Sequence, residues 1–392
     1  MPHTNPAHLS PAHLTLPQTY PTPPALPTII RSRDRTEAAL RHALRGRTIA
    51  RVGRGAYVEV PPGPAWQQRE FLALAAIVAT MDRLGPDAVL SHTSAARVHG
   101  LWVPPWDGLT HVIVPKAGKQ TTGIRRHVGP LPSGDIVQVD GIRVASLRRT
   151  IVDCALMLPP RWGLAIVDSG LRSVLRPDRA NPLAHLERQQ HIKVVLLRLL
   201  AERPGAPGTL AARAVIMAGN ALSESPGESG LRWAGLAGGA PEPTSQLAVT
   251  TAESTFYLDL AWVIPLSAWA PNESNRPRLM SDVVILGEEY DGEGKYAEWP
   301  PDDGSPRLSP LLREKRRADA LRERDVYLVR RTAASLRDHL ALIASMVARF
   351  PRSMTASFRP NLALLAPAPP ARSRHPLAPT SYLSDHVTRS RG

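Results

Sequence analysis

Cysteine is almost absent. Cys154 is the only one among 392 residues, so no intramolecular disulfide can form. A reducing compartment suits such a chain. Cys154 lies in the apolar helical pattern "TIVDCALML", where a lone thiol reads as a small core residue. Long apolar runs are missing too: no stretch of about 18 uncharged apolar residues occurs, so no membrane span is expected. Residues 1–30 have neither the basic start nor the apolar core of a secretory signal. These absences give the expectation of a cytoplasmic protein with no membrane partner. Aromatic residues are scarce at 5%, and the eight tryptophans are scattered without period, which suits packing positions. Acids are outnumbered, with 34 Asp and Glu against 48 Lys and Arg, a formal net charge of +14. That excess favours polyanions, because each phosphate contact releases condensed counterions.

Proline is abundant, at 40 residues, and gathers at the two ends. Residues 1–30 hold eight prolines and no Asp, Glu, Lys or Arg. His3, His8 and His13 recur every fifth position there, with nothing to fix them as ligands. Residues 351–392 are again Pro-rich and basic. Both ends read as disordered tails around a folded middle.

Residues 31–62 change character sharply. Within 31–60, eight Arg face three acids, Asp34, Glu37 and Glu59. Asp34 or Thr36 can cap a helix running to about Arg45, and Gly46 stops it. The segment "TIARVGRGAYVEV" then alternates around Gly53 and Gly55, the pattern of a hairpin. A basic helix before an Arg-tipped hairpin is the layout of a winged helix, with the helix in the major groove and the wing on backbone phosphate. Arg41, Arg45, Arg47, Arg51 and Arg54 are the candidate DNA contacts.

Residues 66–220 alternate helical and extended patterns with no evident catalytic constellation. Helices are expected in "WQQREFLALAAIVATMDRLG" and "SHTSAARVHGL", then short strands over 109–146, then helices from "LRRTIVDCALML" onward. His92 and His99 lie seven apart and read as satisfied structural histidines. This middle region is α+β.

Residues 222–349 carry the chemistry-bearing pattern. Ser223 or Ser225 can cap a helix bearing Glu228. "TFYLDLAWVI" and "RLMSDVVILGEEYDG" are two apolar strands, followed by a charged helix, the strand "VYLVRRT" and a last helix at about 333–349. That order is an α/β core. Asp259 sits mid-strand. Glu289 and Asp291 are two apart at the end of the next strand, so they leave the same side of the pleat. Strand pairing would bring the three carboxylates together as ligands for Mg²⁺, which activates water for phosphodiester attack. Glu228 is a fourth carboxylate, and Lys295 is near enough in sequence to supply a cation. The plainer alternative is an acidic turn, with "YDG" closing the strand.

"SESPGESGLR", "LDLAW", "EEYDGEGKY" and "EKRRADALRERDVYLVRRT" in this order resemble the C-terminal domain of a large group of actinobacterial proteins. That domain is similar to very-short-patch-repair endonucleases, within the PD-(D/E)XK nuclease fold, a restriction-endonuclease-like α/β domain. The resemblance spans about residues 222–340. It implies Asp259 and Glu289 as metal ligands and Glu228 as the helix carboxylate. Asp291 stands where the motif has Lys, so Lys295, Lys315 or Arg316 would have to supply the cation. Residues 31–60 resemble the wing end of the winged helix of AbiEi-type antitoxins, from type IV toxin–antitoxin systems, and "LSHTSAARVHGLW" with the strands after it resembles their middle segment. The helices that usually precede the recognition helix are replaced by the uncharged Pro-rich tail. The resemblance implies a regulator that binds the operator of its own operon and has a cognate toxin partner. Three functions follow: a DNA-binding regulator with a non-cleaving C-terminal domain, a Mg²⁺-dependent endonuclease, or a toxin-neutralising interaction partner.

Overall fold

A computed structural model describes residues 24–116, 121–278, 281–292 and 310–368. The fold is multidomain α+β. Two compact units divide the chain. One takes its described residues from 24–157 together with Arg198–Pro207, and the other comprises Leu158–Leu197 and Gly208–Ala368. The division at Met157 and Leu158 falls ahead of the boundary expected near 220–222.

The first unit begins with strand β1 (Ile30–Arg31), helix α1 (Glu37–Arg45) and strands β2 (Ile49–Gly53) and β3 (Ala56–Glu59). Of the two cap candidates, Thr36 is the one used, its hydroxyl accepting the N–H of Ala39 at 3.2 Å. The helix ends at Gly46, whose N–H bonds the carbonyl of His42, and Arg47 takes the left-handed turn at φ 56°. Gly55, at φ 65°, closes the hairpin. These strands form a three-stranded sheet in the order β1-β3-β2. Ala50 and Val58 bury its inner face against Leu72 and Ala75 of helix α2 (Ala65–Leu84).

The unit continues with β4 (Val89–Leu90), α3 (His92–Val98), β5 (Thr110–Val114), β6 (Ile124–Val128), β7 (Ile136–Val139), β8 (Ile142–Ala145) and α4 (Leu147–Met157). The strands make a five-stranded sheet in the order β6-β5-β4-β8-β7. Ile77, Leu90, Val98, Val112 and Val144 form its core. Cys154 is fully buried, and that burial pushes its thiol pKa up, which suits an inert core residue.

Helices α5 (Pro160–Leu175), α6 (Leu186–Ala201), α7 (Thr209–Ala218) and α8 (Pro226–Ala237) come next. The second unit's strands are β9 (Thr244–Thr250), β10 (Thr255–Pro265), β11 (Val283–Tyr290) and β12 (Val326–Arg331). They form a sheet in the order β12-β11-β10-β9. β9, β10 and β11 run antiparallel to one another, and β11 pairs in parallel with β12 through helix α9 (Pro310–Arg322). The core gathers Leu258, Ala261, Leu321 and Val326. Helix α10 (His339–Val347) is capped by Asp338, whose side chain accepts from Ala341 at 3.0 Å.

The expected disorder from 351 onward is corrected for residues 351–368. Helices α11 (Arg352–Thr355) and α12 (Leu362–Leu365) are ordered there. Leu364 is buried, and the indole of Trp233 donates to its carbonyl at 2.9 Å. Gly239, at φ 86°, lets Arg359 approach so closely that a Cβ would meet its backbone at 2.5 Å. Proline content concealed these packing contacts. The described chain also begins within the expected N-terminal tail, and Leu26 donates its N–H to Asp140 at 3.3 Å.

Candidate functional site: a carboxylate cluster in the second unit and an arginine face in the first

The acidic run 288–291 is split by the pleat of β11. Glu288 faces one side and is fully buried. There it receives Arg331 at 2.9 Å and is also paired with Arg349. That triad is a structural anchor. Glu289 faces the other side. Leu260 pairs with Glu288, so the antiparallel register sets Asp259 opposite Glu289 on the shared face. Asp259 accepts the N–H of Tyr290 at 2.8 Å. Glu289 is clamped by Arg317 of α9, with one nitrogen-to-oxygen distance of 3.0 Å, and by Arg330 of β12 at 3.5 Å. Both arginines also reach Glu314, which closes a ring of two acids and two bases.

Helix α8 meets this face at its N-terminus. Ser225, one of the two expected caps, accepts the N–H of Glu228 at 3.1 Å. Glu228 in turn accepts the N–H of Glu224 at 2.8 Å and the amide of Gln246 at 3.3 Å. Burial, reinforced by the charge of Asp259, pushes the Glu228 carboxyl up to about 8. It is therefore largely protonated at neutral pH beside a second acid. Gln246 lies across β9 from Asp259 with φ 54°, a local irregularity of the strand at the site. Gly227 explains the glycine in "SPGESG": a Cβ there would stand 2.3 Å from the Tyr290 ring. Only glycine lets the start of α8 touch the end of β11.

Asp291 continues the ladder past β11, donating its N–H to Arg331 at 2.8 Å. Alternation places it on the Glu289 side. Lys295 lies outside the described residues, and the side chains of Lys315 and Arg316 are exposed on α9. Among the described residues, one group of three His, Cys, Asp or Glu side chains brings ligand atoms within 4.8 Å of one another, and it is His92, His111 and His127. The carboxylate set does not, because Glu289 is drawn to its two arginines and Asp259 to a backbone N–H. What the carboxylates do form is a Glu228–Asp259 pair next to an ion-paired Glu289, with one carboxyl ready to donate a proton. Arg317 and Arg330 were not foreseen. The doublet "RR" at the end of β12 matches the doublet "EE" at the end of the parallel β11, and that complementarity was the available signal.

Arg41, Arg45, Arg47, Arg51 and Arg54 are all exposed in the first unit. Arg41 pairs loosely with Glu37 at 3.4 Å, one helical turn away, and Arg51 donates to the carbonyl of Gly53 at 3.2 Å, two residues on along the same strand. α1 and the sheet flank a groove of about 760 Å³ lined in part by Arg35, Arg47 and Arg69. No described helix is long and apolar enough to cross a membrane.

No family model matches the chain, and no curated protein matches it. Among solved structures it is similar to the crystal structure of the RV2827C protein from Mycobacterium tuberculosis, at 14% identity and a TM-score of 0.29, over 52% of this chain and 75% of that one. A likeness that slight assigns neither fold nor function.

Proposed function

We propose that the protein is a DNA-binding regulator of the kind the AbiEi-type antitoxins represent, with a C-terminal domain of nuclease type that holds its acids in ion pairs. The observation that carries the reading is the basic face of α1 and the β2–β3 hairpin. Five arginines project there without burial, on a helix followed by an antiparallel hairpin, and the preceding strand β1 joins the same sheet. The helix is short enough to lie in a major groove, and the hairpin arginines stand beside Gly53 and Gly55, where backbone can approach phosphate. The test is duplex binding by fluorescence anisotropy at several salt concentrations. Absence of any salt-dependent binding would remove this reading and leave protein contact, such as with a cognate toxin, as the function to pursue.

A Mg²⁺-dependent endonuclease is the second reading. It is favoured by the Glu228–Asp259 pair and by Glu289 on the same face of the neighbouring strand. In that role Asp259, Glu289 and Asp291 would hold the ion, which would supply an activated water. Arg317 would have to leave Glu289 for the ion to bind. Plasmid nicking in Mg²⁺ or Mn²⁺, abolished by Asp259→Ala with Glu289→Ala, is the expected outcome for this reading. Intact plasmid under both metals would exclude it.

A further inference from the structure

Three histidines from separate elements of the first unit converge. His92 opens α3, His111 lies on β5, and His127 lies on β6. The parallel register pairs His111 with Arg125 and Ile113 with His127, so His111 and His127 share a face of adjacent strands, one diagonal apart. His111 Nδ1 and His127 Nε2 are 3.0 Å apart. Their ring centroids are 5.2 Å apart, and those of His92 and His111 are 5.8 Å apart. His92 stacks on His127 at 3.7 Å. His92 also sits at φ 49°, a backbone strain that brings its ring to the other two.

We propose that His92, His111 and His127 form a site for a first-row divalent cation, Zn²⁺ by ligand chemistry, bound through His92 Nε2, His111 Nδ1 and His127 Nε2. Three neutral imidazoles and no thiolate suit Zn²⁺ and exclude the hard cations Mg²⁺ and Ca²⁺, which take oxygen. The distances fit. Two imidazole nitrogens about 2.0–2.1 Å from one tetrahedral ion lie roughly 3.3 Å apart, with ring centres roughly 5 Å apart. The His111–His127 and His92–His111 pairs are close to that arrangement already. The His92–His127 stack must open by about 1.5 Å to match it.

Polar groups stand beside the outer ring nitrogens of His92 and His111. Ser91 Oγ lies 3.0 Å from His92 Nδ1, which leaves Nε2 as the ligand. Asp107 Oδ2 lies 3.7 Å from His111 Nε2, beyond a hydrogen bond but close enough for its charge to favour a proton on Nε2 and leave Nδ1 to bind. His111 Nε2 has no hydrogen-bond partner within bonding distance, although it is buried. Arg149 and Arg203 also act on His92, and Arg125 on His127. The charges of Arg149 and Arg203 are balanced locally by Asp153, which both contact, and by Asp135 beside Arg149. A dication therefore does not meet bare positive charge from that side. Water would complete the tetrahedron.

The experiment uses the full chain without an affinity tag, stripped with chelator and titrated with Zn²⁺ by calorimetry, with Co²⁺ as a visible probe of tetrahedral coordination. One equivalent of Zn²⁺ should bind. Asp107→Asn, at an exposed position that should not disturb folding, should weaken binding tenfold to a hundredfold. His111→Ala with His127→Ala should abolish stoichiometric binding, and circular dichroism would check that this variant is folded. Replacing His3, His8 and His13 together by Ala should leave the affinity unchanged. The proposal is overturned if the wild-type chain takes up no equivalent of Zn²⁺. It is equally overturned if uptake survives the double variant, is indifferent to Asp107→Asn, or disappears with the three N-terminal histidines.

Discussion

Removing the carboxylate of Asp168 should destabilise the second unit by more than any surface change in the molecule. Asp168 on α5 and Arg232 on α8 are both fully buried. Two oxygens of Asp168 accept from Arg232 Nη2 at 2.6 Å each. The same carboxylate accepts from the hydroxyls of Ser229 at 2.7 Å and Ser223 at 3.1 Å, and from the N–H of Asn220 at 2.8 Å. Arg232 also donates to the carbonyl of Ala218. Breaking such a buried pair leaves Arg232 with the half-exposed Glu242, 3.4 Å from Nη1, as its acid partner, and costs about 3–5 kcal/mol. Asp168→Asn keeps the shape and one acceptor, so its cost should lie near 3 kcal/mol; Asp168→Ala orphans three further donors and should exceed 5 kcal/mol. Against a total stability of about 5–15 kcal/mol, the alanine variant is close to unfolding the unit.

The assay is urea unfolding followed by near-ultraviolet circular dichroism, with Arg41→Ala as the surface control. Arg41 and Glu37 are 64% and 81% exposed at their side chains, so losing that pair should cost at most about 0.5 kcal/mol. A loss below about 1 kcal/mol for Asp168→Asn, with an unchanged slope against urea, would refute the reasoning. It would mean that water reaches the pair or that the guanidinium finds another partner. The consequence extends to the candidate site, because Glu228 lies one helical turn before Arg232 on the same helix. The pair that locks α8 to α5 also aims Glu228 at Asp259.

Replacing Arg51 and Arg54 together by Ala should flatten the plot of log affinity against log salt by about two units, since each lost phosphate contact removes close to one; an unchanged slope removes the hairpin from the interface. In plasmid nicking, Asp259→Ala with Glu289→Ala should abolish any Mg²⁺-dependent cleavage, and cleavage that persists would place the chemistry elsewhere. Glu228 has a raised carboxyl pKa, so its stabilising contribution is full below the ordinary carboxylate range and is lost as pH rises through about 8. Relative to Glu228→Gln, the wild type should lose up to about 1.4 kcal/mol per pH unit between about pH 5.5 and 7.5, read from urea unfolding at the two pH values; a gap that does not change with pH would contradict a buried protonated carboxyl.

The sequence was most readable where local rules act alone. Thr36 and Ser225 cap helices because a short hydroxyl side chain satisfies an N–H three residues on. The alternation around Gly53 became a hairpin with one face buried, and the apolar runs read at 255–264 and 283–286 became central strands buried on both faces. β9 was overlooked, since "TSQLAVT" is only weakly apolar and Gln246 departs from extended geometry within it. The ordered stretch at 351–368 was hidden by its prolines. Its order comes from Trp233 and Gly239, which lie more than a hundred positions earlier. The partners of charged groups were the least legible. Strand alternation alone sends Glu288 and Glu289, adjacent on β11, to opposite faces, but nothing local announces which arginines meet them there. The three histidines at 92, 111 and 127 share no sequence period, and only the register of β5 on β6 and the entry of α3 unite them.

The ion pairing around Glu289 bears directly on the endonuclease reading of the second unit. An acid at a strand end needs a positive partner, and in a metal-dependent nuclease the metal provides it. Here two guanidiniums provide it, and both are shared with Glu314. A divalent ion at Glu289 must therefore displace arginine, and the displaced Arg317, 5.5 Å from the Phe256 ring centroid, has an aromatic face to rest on. Phosphate could drive the same exchange, because arginine binds phosphate and carboxylate through the same fork of N–H groups. On the endonuclease reading, phosphate would take Arg317 and Arg330, and Glu289 would then be free to hold the ion, which would supply an activated water. Metal affinity at this face should accordingly be low without DNA and rise in its presence. The His92–His111–His127 set involves no such exchange and should bind its ion with DNA present or absent. Titrating Mn²⁺ and Zn²⁺ with and without a duplex separates the two: a Mn²⁺ affinity that ignores DNA would show that the arginine ring is a permanent structural clamp.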